Sequence, residues 1–389
     1  MPSLATDAPA AAGCEYREDA EGDEGVPFAA GKSRQQEVSD TMAAGHGPAP
    51  MREQLRAQTS PVHLINPLWD PTGGSDWRTI ELYRILTAHA PVKLWSEYDP
   101  APEFSERYPI HRIRPLLGRF PREGTFVFVG AYFRVGHWIR LARPSRLILI
   151  YNTNQPDRLQ KNLNRLAAGG QNHVEVVFTS PLLKRLAGGD GEVMESPIDV
   201  RRFTPAPKPP TETDRFMVGR LSRDIITKHH DADPGLYRRL AEAGMQVNVM
   251  GGTCLLPTIG DAAGINLLGA GSVDPAAFLR GLDCFYYRTA EHWVEAFGRV
   301  VMEAMACGLP VVCHRRAGYA DYIDSGRNGF LFDTTEEAFD LLLQLRGSPT
   351  LRTRIGAAAR RSMVELFDHQ VPRKTLNFLL RSSEATALA

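Results

Sequence analysis

The sequence lacks long apolar runs, paired cysteine motifs and a secretory leader pattern. No stretch approaches the roughly 20 continuous apolar residues that a membrane-spanning helix needs, and no basic region followed by an apolar one opens the chain. The five cysteines form no Cys-x-x-Cys pair. These absences predict a protein that is neither exported nor integral to a membrane and that works in the reducing cytoplasm.

The sequence also lacks an excess of one charge. It has 45 basic and 45 acidic residues, so nucleic acid is not an expected partner. Charge is nevertheless uneven, because residues 101–170 hold twelve Arg or Lys against four acids. Two interpretations of the basic region 107–165 stay open. It is either a solvated face or a dock for a phosphorylated acceptor or for anionic lipid at the inner face of a membrane.

The first sixty residues have a composition that does not favour folding. Residues 1–60 are rich in Ala, Gly, Pro and acids and almost without aliphatic side chains. Such a segment cannot bury enough apolar surface to offset its ordering entropy, which predicts a disordered tail. Met42 and Met51 are alternative translation starts within it.

The segment from Cys284 to Cys313 has the pattern of a strand, a loop, a helix and a second strand. Cys284–Tyr287 and Leu309–Cys313 are short apolar runs, which predicts two buried strands. Between them, Gly298 allows a sharp bend, and apolar residues then recur at helical spacing until Gly308. This is one β-loop-α-β unit of a parallel sheet.

Of the three acids in this unit, Glu295 lies shortly before the bend and Glu303 lies on the helix. A carboxylate among apolar neighbours, as at Glu303, is costly unless something binds it. The free N–H groups at the helix start, near Phe297 and Gly298, form a natural anion site. The two carboxylates can accept hydrogen bonds from sugar hydroxyls, and the anion site beside them can bind phosphate. Together they predict a pocket for a sugar nucleotide. The alternative is a solvated loop acid and the polar face of an amphipathic helix.

The string Glu295-Ala-Phe-Gly, continued by Glu303-Ala-Met-Ala-Cys-Gly-Leu-Pro-Val-Val, resembles the Glu-x7-Glu motif of retaining GT-B glycosyltransferases of family 4, the glycosyl transferases group 1. The resemblance implies an α/β protein of two doubly wound Rossmann-like domains that face a cleft. It also implies transfer, with retention, of a sugar from a nucleoside-diphosphate sugar to a glycan, a lipid-linked or a small-molecule acceptor. No metal or other cofactor is expected.

The first ordered strand is predicted at Val62–Leu68 and is followed by Gly73, Gly74 and a helix that Ser75 or Asp76 would cap. Gly73 and Gly74 resemble the glycine turn that approaches the donor phosphates in family 4 enzymes. Further strands alternate with helices along the chain, which predicts parallel sheets. The domains are expected at 61–206 for the acceptor and 207–370 for the donor, with residues 371–389 forming a helix that crosses back to the first domain, and a tail.

The second domain opens with a strand that contains Arg220, and Lys228 follows eight positions later. In the family, an Arg and a Lys at such positions neutralise the diphosphate of the leaving nucleotide. Together with Glu295 of the Glu-x7-Glu motif, Arg220 and Lys228 are therefore the expected catalytic residues. Cations in a dry site stabilise the charge that grows on the phosphate. The spacing is longer than usual, so residues 222–227 must bulge.

Some assignments stay open. Where many relatives carry a donor-contacting His, this chain has Asn152, and His137 is a substitute candidate. The run His229-His-Asp-Ala-Asp233 would need further ligands to hold a metal ion. Other functions that the same fold allows are a phosphorylase, a sugar-nucleotide epimerase and a non-catalytic partner subunit.

Overall fold

The computed structural model describes residues 60–206 and 215–381. The predicted tail up to residue 59 and the Pro-rich stretch 207–214 lie outside the described residues, as do residues 382–389. Within the described part, strands and helices alternate and every strand pair in the two sheets is parallel. The predicted α/β class is confirmed.

The first sheet has seven strands in the order β3-β2-β1-β4-β5-β6-β7. Its strands are β1 Val62–Ile65, β2 Val92–Ser96, β3 Ile110–Arg112, β4 Thr125–Val129, β5 Arg146–Tyr151, β6 Glu175–Phe178 and β7 Glu192–Val193. Its helices are α1 Gly74–Thr87, α2 Pro102–Ser105, α3 Ile139–Ala142, α4 Pro156–Ala168 and α5 Pro181–Ala187. The central strands β4 and β5 are buried along their whole length, as expected for a parallel sheet that is covered on both faces.

The second sheet has six strands in the order β10-β9-β8-β11-β12-β13. Its strands are β8 Met217–Leu221, β9 Gln246–Met250, β10 Ile265–Leu268, β11 Cys284–Tyr287, β12 Val311–His314 and β13 Phe330–Phe332. Its helices are α6 Asp233–Glu242, α7 Leu256–Ile259, α8 Pro275–Arg280, α9 Arg299–Ala306, α10 Thr335–Gly347 and α11 Pro349–Val364. The boundary predicted near Pro207 falls between the two sheets and stays a prediction.

The last described helix, α12 Val371–Leu379, follows α11 through a π-helical turn, Glu365–Gln370. Leu379 is fully buried in the apolar cluster of the first sheet. Arg146, at the start of β5, donates a hydrogen bond to the carbonyl oxygen of Phe378 at 2.6 Å. The chain therefore returns to its first sheet after completing the second.

Two edge strands, β3 and β7, were not predicted from the sequence. Both are short, and their residues are exposed or half-buried, so they lack an apolar run. No helix of the described part of the chain combines the length and the apolar character that crossing a bilayer requires.

Candidate active site between the two sheets

The loops that follow the strands of the two sheets meet each other. Ser180, just after β6, donates a hydrogen bond to the carbonyl oxygen of Ala296 at 2.5 Å. Gly74, after β1, lies so close to Arg299 that a Cβ on the glycine would be 3.3 Å from the arginine Cδ. Because ligands bind at the carboxyl ends of strands in open α/β sheets, these loops enclose the candidate site.

Lys228 and Glu295, two of the expected catalytic residues, form a direct ion pair in this region. Lys228 ends a 3₁₀ turn after β8, and Glu295 lies in the loop after β11. The Lys228 ammonium also lies 5.0 Å from the ring centroid of Trp293, and the Tyr287 hydroxyl donates to Glu295 Oε2 at 3.1 Å. The resemblance placed the lysine and the acid in one site, and the structure brings them into contact.

The protonation state of Glu295 follows from its neighbours. Burial alone would raise the pKa of this carboxyl group, but the Lys228 ammonium and the hydrogen bonds from Lys228 and Tyr287 hold the pKa below its usual value. Glu295 is therefore a carboxylate at neutral pH. Its second oxygen, Oε1, makes no hydrogen bond to any described residue.

Arg220, the third expected catalytic residue, lies beneath this pair and is 1% exposed. Its guanidinium donates to the carbonyl oxygens of Lys228 and of Arg288 and pairs with Asp233 at 3.2 Å. Asp233 is fully buried and also pairs with Arg288 at 2.7 Å. Arg220 thus holds the Lys228 turn in place, with its charge already partnered by Asp233.

The start of α9 contains the bend predicted at Gly298, which has φ +77°. A side chain there would be strained, and its Cβ would lie 2.4 Å from Tyr319. The N–H groups of Gly298 and Arg299 find no backbone acceptor among the described residues. Phe297 is buried against Tyr322, so its side chain packs and only its backbone borders the site.

Glu303 is buried on α9 and pairs with Arg299, one helical turn earlier, at 3.2 Å. Burial raises the pKa of Glu303, and the Arg299 guanidinium partly opposes this. Arg299 also donates to Ser196 Oγ at 2.7 Å and to the carbonyl oxygen of Pro197 at 2.6 Å, both in the segment after β7. One arginine thus connects α9, the first half of the chain and the Gly74 turn.

The glycine turn of the first sheet differs from its prediction in one respect. Gly73 is the N-cap of α1, and neither Ser75 nor Asp76 caps the helix. Ser75 instead accepts a hydrogen bond from Asn66 at 2.9 Å. The helix starts two to three residues earlier than a cap at Ser75 or Asp76 would place it. Asp76 is 4% exposed, and burial and the charge of Asp70 raise its pKa to about 7.

The structure also shows where the residues lie whose roles the sequence left open. Asn152 Oδ1 lies 3.4 Å from where a Cβ on Gly130 would be, beside Ser75, whereas His137 is exposed. His229 contacts the carbonyl oxygen of Gly251, and His230 contacts Glu291, so the two rings have different partners. No group of three or more potential metal ligands occurs among residues 60–206 and 215–381.

Sequence reasoning missed three residues of the site. Trp293 has a buried indole N–H without a partner in the described chain, and Arg223 is close enough to act electrostatically on Lys228 and on Glu295. Arg299 reaches both halves of the site. Of these three residues, only Arg299 could have been recognised from the sequence, because it directly follows the predicted bend at Gly298.

Three comparisons bear on the chain. Residues 261–362 match the family model of glycosyl transferases group 1. A 76-residue segment is 41% identical to N-acetyl-alpha-D-glucosaminyl L-malate synthase of Bacillus anthracis, over 19% of this chain and 20% of that protein. The alignments with curated relatives span only 6–22% of those proteins' lengths.

The fold is similar to that of solved structures over most of the chain. HepE of Anabaena, solved with UDP-glucose, is 15% identical and superposes with a TM-score of 0.62, over 85% of this chain and 100% of that one. Sucrose-phosphate synthase of Thermosynechococcus elongatus is 17% identical, with a TM-score of 0.64 and the same coverage. The architecture is therefore GT-B, and residues 261–362, which lie in the half of the chain that holds the second sheet, are similar to glycosyl transferases group 1.

Proposed function

We propose that this chain transfers a sugar from a nucleoside-diphosphate sugar to an acceptor, with retention of configuration and without a metal ion. The observation that carries the proposal is the buried Lys228–Glu295 ion pair, which lies in the loop just before the bent start of α9. At that helix start, Arg299 lies against the Gly74 turn of the first sheet. A cation and free N–H groups bind a diphosphate, and a carboxylate accepts hydrogen bonds from the hydroxyl groups of a sugar.

The donor would lie with its phosphates at the start of α9 and its sugar at Glu295. The free N–H groups near Gly298 and the side chains of Lys228 and Arg299 supply positive charge for the diphosphate. Glu295 Oε1 is free to accept a hydrogen bond from a sugar hydroxyl. Glu303, once released from Arg299, would accept hydrogen bonds from the ribose.

In the reaction, the bond between the anomeric carbon and the β-phosphate oxygen breaks, and the acceptor hydroxyl oxygen bonds to the same face of that carbon. The hydroxyl proton passes to the leaving phosphate. Negative charge grows on that phosphate, where the Lys228 ammonium is already fixed by Glu295. These side chains supply the charge stabilisation that a metal ion provides in other transferases.

The acceptor is a glycan, a lipid or a small molecule that binds the first sheet's half of the site. The basic surplus of residues 107–165 supports a peripheral contact with an anionic membrane surface. The buried, unpaired cysteines among the described residues support a reducing compartment such as the cytoplasm.

A donor screen tests the proposal. UDP-, GDP- and ADP-glucose are added to the full chain, and melting temperature and sugar release are measured. We expect one nucleotide to raise the melting temperature and its sugar to be released slowly to water as the α-anomer, seen by NMR. The proposal is wrong if no nucleotide stabilises the chain and no sugar is released, and a dependence on inorganic phosphate would indicate a phosphorylase.

A further inference from the structure

A cluster of aromatic and arginine side chains follows the strands of the first sheet. Its members are Trp69 after β1, Tyr98 after β2, Tyr132 and Arg134 after β4, and Arg158 after β5. Because these strands are parallel, their carboxyl ends lie along one edge of the sheet, the edge that also carries the Gly73–Gly74 turn. These five residues are called the aromatic–arginine cluster below.

Two tyrosine rings of the cluster support the two guanidinium groups. The guanidinium carbon of Arg134 lies 5.2 Å from the centroid of the Tyr98 ring, and that of Arg158 lies 4.4 Å from the centroid of the Tyr132 ring. Gln155, the N-cap of α4, donates a hydrogen bond to the Tyr132 hydroxyl at 2.8 Å. A guanidinium that stacks on a ring can still donate its N–H groups, which lie in its own plane, to an anion.

The positive charge of the cluster is not neutralised within the described part of the chain. Arg134 and Arg158 are exposed, and neither forms a salt bridge with a carboxylate in residues 60–206 or 215–381. Glu97 accepts a hydrogen bond from the backbone N–H of Arg134 at 3.0 Å, but burial raises the pKa of Glu97 to about 8, so this acid is mostly protonated at pH 7. Burial also raises the pKa of the Tyr98 hydroxyl, and both arginines are close enough to oppose that rise. The two guanidinium groups therefore lie in one region that attracts an anion.

Trp69 adds an apolar surface to the cluster. Its ring centroid lies 4.6 Å from that of Tyr98, and the residue is 37% exposed. The C–H groups of a sugar ring form apolar faces that pack on an aromatic ring. Guanidinium groups bind phosphate and carboxylate groups through charge-assisted hydrogen bonds. An exposed indole beside two arginines therefore suits a sugar that carries a phosphate or a carboxylate.

The cluster adjoins the proposed donor site. A Cβ on Gly130, directly after β4, would lie 2.5 Å from Ser75 Oγ in the first turn of α1. Gly74, the residue before Ser75, lies against Arg299. The residues proposed to bind the donor come from the second sheet's half of the chain, whereas every residue of the cluster comes from the first half. A molecule at the cluster would thus approach the donor from the side proposed for the acceptor.

We propose that the aromatic–arginine cluster is the acceptor subsite and that the acceptor is a saccharide with an anionic group, a phosphate or a carboxylate. The anionic group accepts hydrogen bonds from Arg134 and Arg158, and the sugar ring packs on Trp69. The inference rests on the transfer reaction proposed above and names the substrate class of its acceptor. No residue of the cluster binds the nucleotide, so the donor screen and the acceptor test can fail separately.

Binding of simple sugars to the full chain tests the inference without a transfer reaction. Glucose 6-phosphate, glucuronic acid and neutral methyl α-glucoside are titrated at low salt, and binding is followed by NMR. We expect the two anionic sugars to bind about tenfold more tightly than the neutral one, and their affinity to fall as salt is added. Arg134→Ala with Arg158→Ala should remove this preference, a loss of about tenfold that corresponds to two exposed ion pairs together. Trp69→Ala should weaken the binding of all three sugars.

A matched variant separates a site from general charge. Arg239→Ala with Arg361→Ala removes the same charge at exposed positions of α6 and α11. Arg239 also stacks on an aromatic ring, with its guanidinium carbon 4.3 Å from the centroid of Phe339. This variant should bind the anionic sugars as tightly as the unaltered chain does.

Two further measurements make the outcome unambiguous. Melting curves check the folding of every variant, and inorganic phosphate is titrated to separate recognition of a saccharide from recognition of an anion alone. Stabilisation by the nucleotide found in the donor screen should be the same for all variants, and its absence while sugars still bind would refute the donor site instead. The inference is overturned if none of the three sugars binds, if neutral and anionic sugars bind equally, if Arg134→Ala with Arg158→Ala keeps the preference, or if inorganic phosphate binds as tightly as glucose 6-phosphate.

Discussion

Lys228 and Arg220 both carry a buried positive charge, but only Lys228 presents that charge to the proposed diphosphate. Arg220 is shared among Asp233 and two carbonyl oxygens, and it fixes the backbone of Lys228. Removing either side chain should lower activity for different reasons. At Lys228 the loss is electrostatic, whereas at Arg220 it is structural.

Lys228→Ala should lower the turnover number by about 10²–10³, as when one preorganised charge stabiliser is removed. Arg220→Ala should destabilise the fold by about 3–5 kcal/mol, because it leaves buried Asp233 with one guanidinium fewer. Steady-state kinetics and urea unfolding measure the two effects.

Lys374→Ala is the matched control, since Lys374 is partly exposed and lies 3.4 Å from Glu195. It should leave turnover near that of the unaltered chain. If Lys228→Ala keeps full turnover while folding normally, then Lys228 does not act on the leaving phosphate.

Asp76 gives the stability a pH dependence. Its pKa is about 7 in the fold and near 3.8 in the unfolded chain. Between pH 3.8 and pH 7 the native state keeps a proton on Asp76 that the unfolded chain has lost. The free energy of unfolding therefore falls as pH rises from about 4 to 7, by at most about 1.4 kcal/mol per pH unit. Asp76→Asn should remove this slope in urea unfolding, and Asp261→Asn, at an exposed aspartate, should not.

Helix α9 depends on a backbone bend as well as on its apolar face. Gly298 has a positive φ and no space for a Cβ beside Tyr319. The bend aims the free N–H groups of the helix start at the proposed phosphates. An altered bend would therefore affect both folding and donor affinity.

Gly298→Ala should lower the melting temperature and weaken donor nucleotide binding in calorimetry. Gly235→Ala is its control, because Gly235 lies inside α6 with nothing near the added methyl group. There the change should be neutral or stabilise by up to about 1 kcal/mol. If both variants changed the melting temperature and the nucleotide affinity equally, the bend at Gly298 would not be needed for folding or for donor binding.

The sequence allowed the buried strands to be predicted better than the site. Strand β11 has the predicted bounds, Cys284–Tyr287, because an apolar run between turn residues has few alternatives. Contacts between distant residues could not be predicted, since no local pattern encodes them. Lys228 meets Glu295 across 67 positions, and Arg299 meets Ser196 across 103. The family resemblance indicated the first contact but not the second.

At the scale of the whole molecule, α12, the last helix of the described residues, joins the second half of the chain to the first sheet. Leu379 completes the apolar cluster of the first sheet, and Arg146 stacks over Phe378 at 4.7 Å. The first half therefore depends on residues that are far away in sequence. The predicted tail, residues 1–60, lies outside the described residues up to residue 59.

Ending the chain at Gln370 should unfold or strongly destabilise the first half, and the milder Leu379→Ala should cost about 2–5 kcal/mol. Deleting residues 2–50 is the matched truncation and should leave the melting temperature unchanged. Differential scanning calorimetry compares the three. A loss of several degrees on deleting residues 2–50 would show that the tail packs on the fold.

The buried thiols make the molecule suitable for selective labelling. Cys284, Cys307 and Cys313 are buried, and burial raises the pKa of all three, so the reactive thiolate is scarce at neutral pH. Burial also raises the pKa of the half-buried Cys254, to about 12. Leu117 is 63% exposed at the end of the 3₁₀ turn Pro115–Leu117. In a Cys14→Ser background, a fluorophore coupled to the variant Leu117→Cys would be the main dye on the protein, and its emission would report the polarity around that turn.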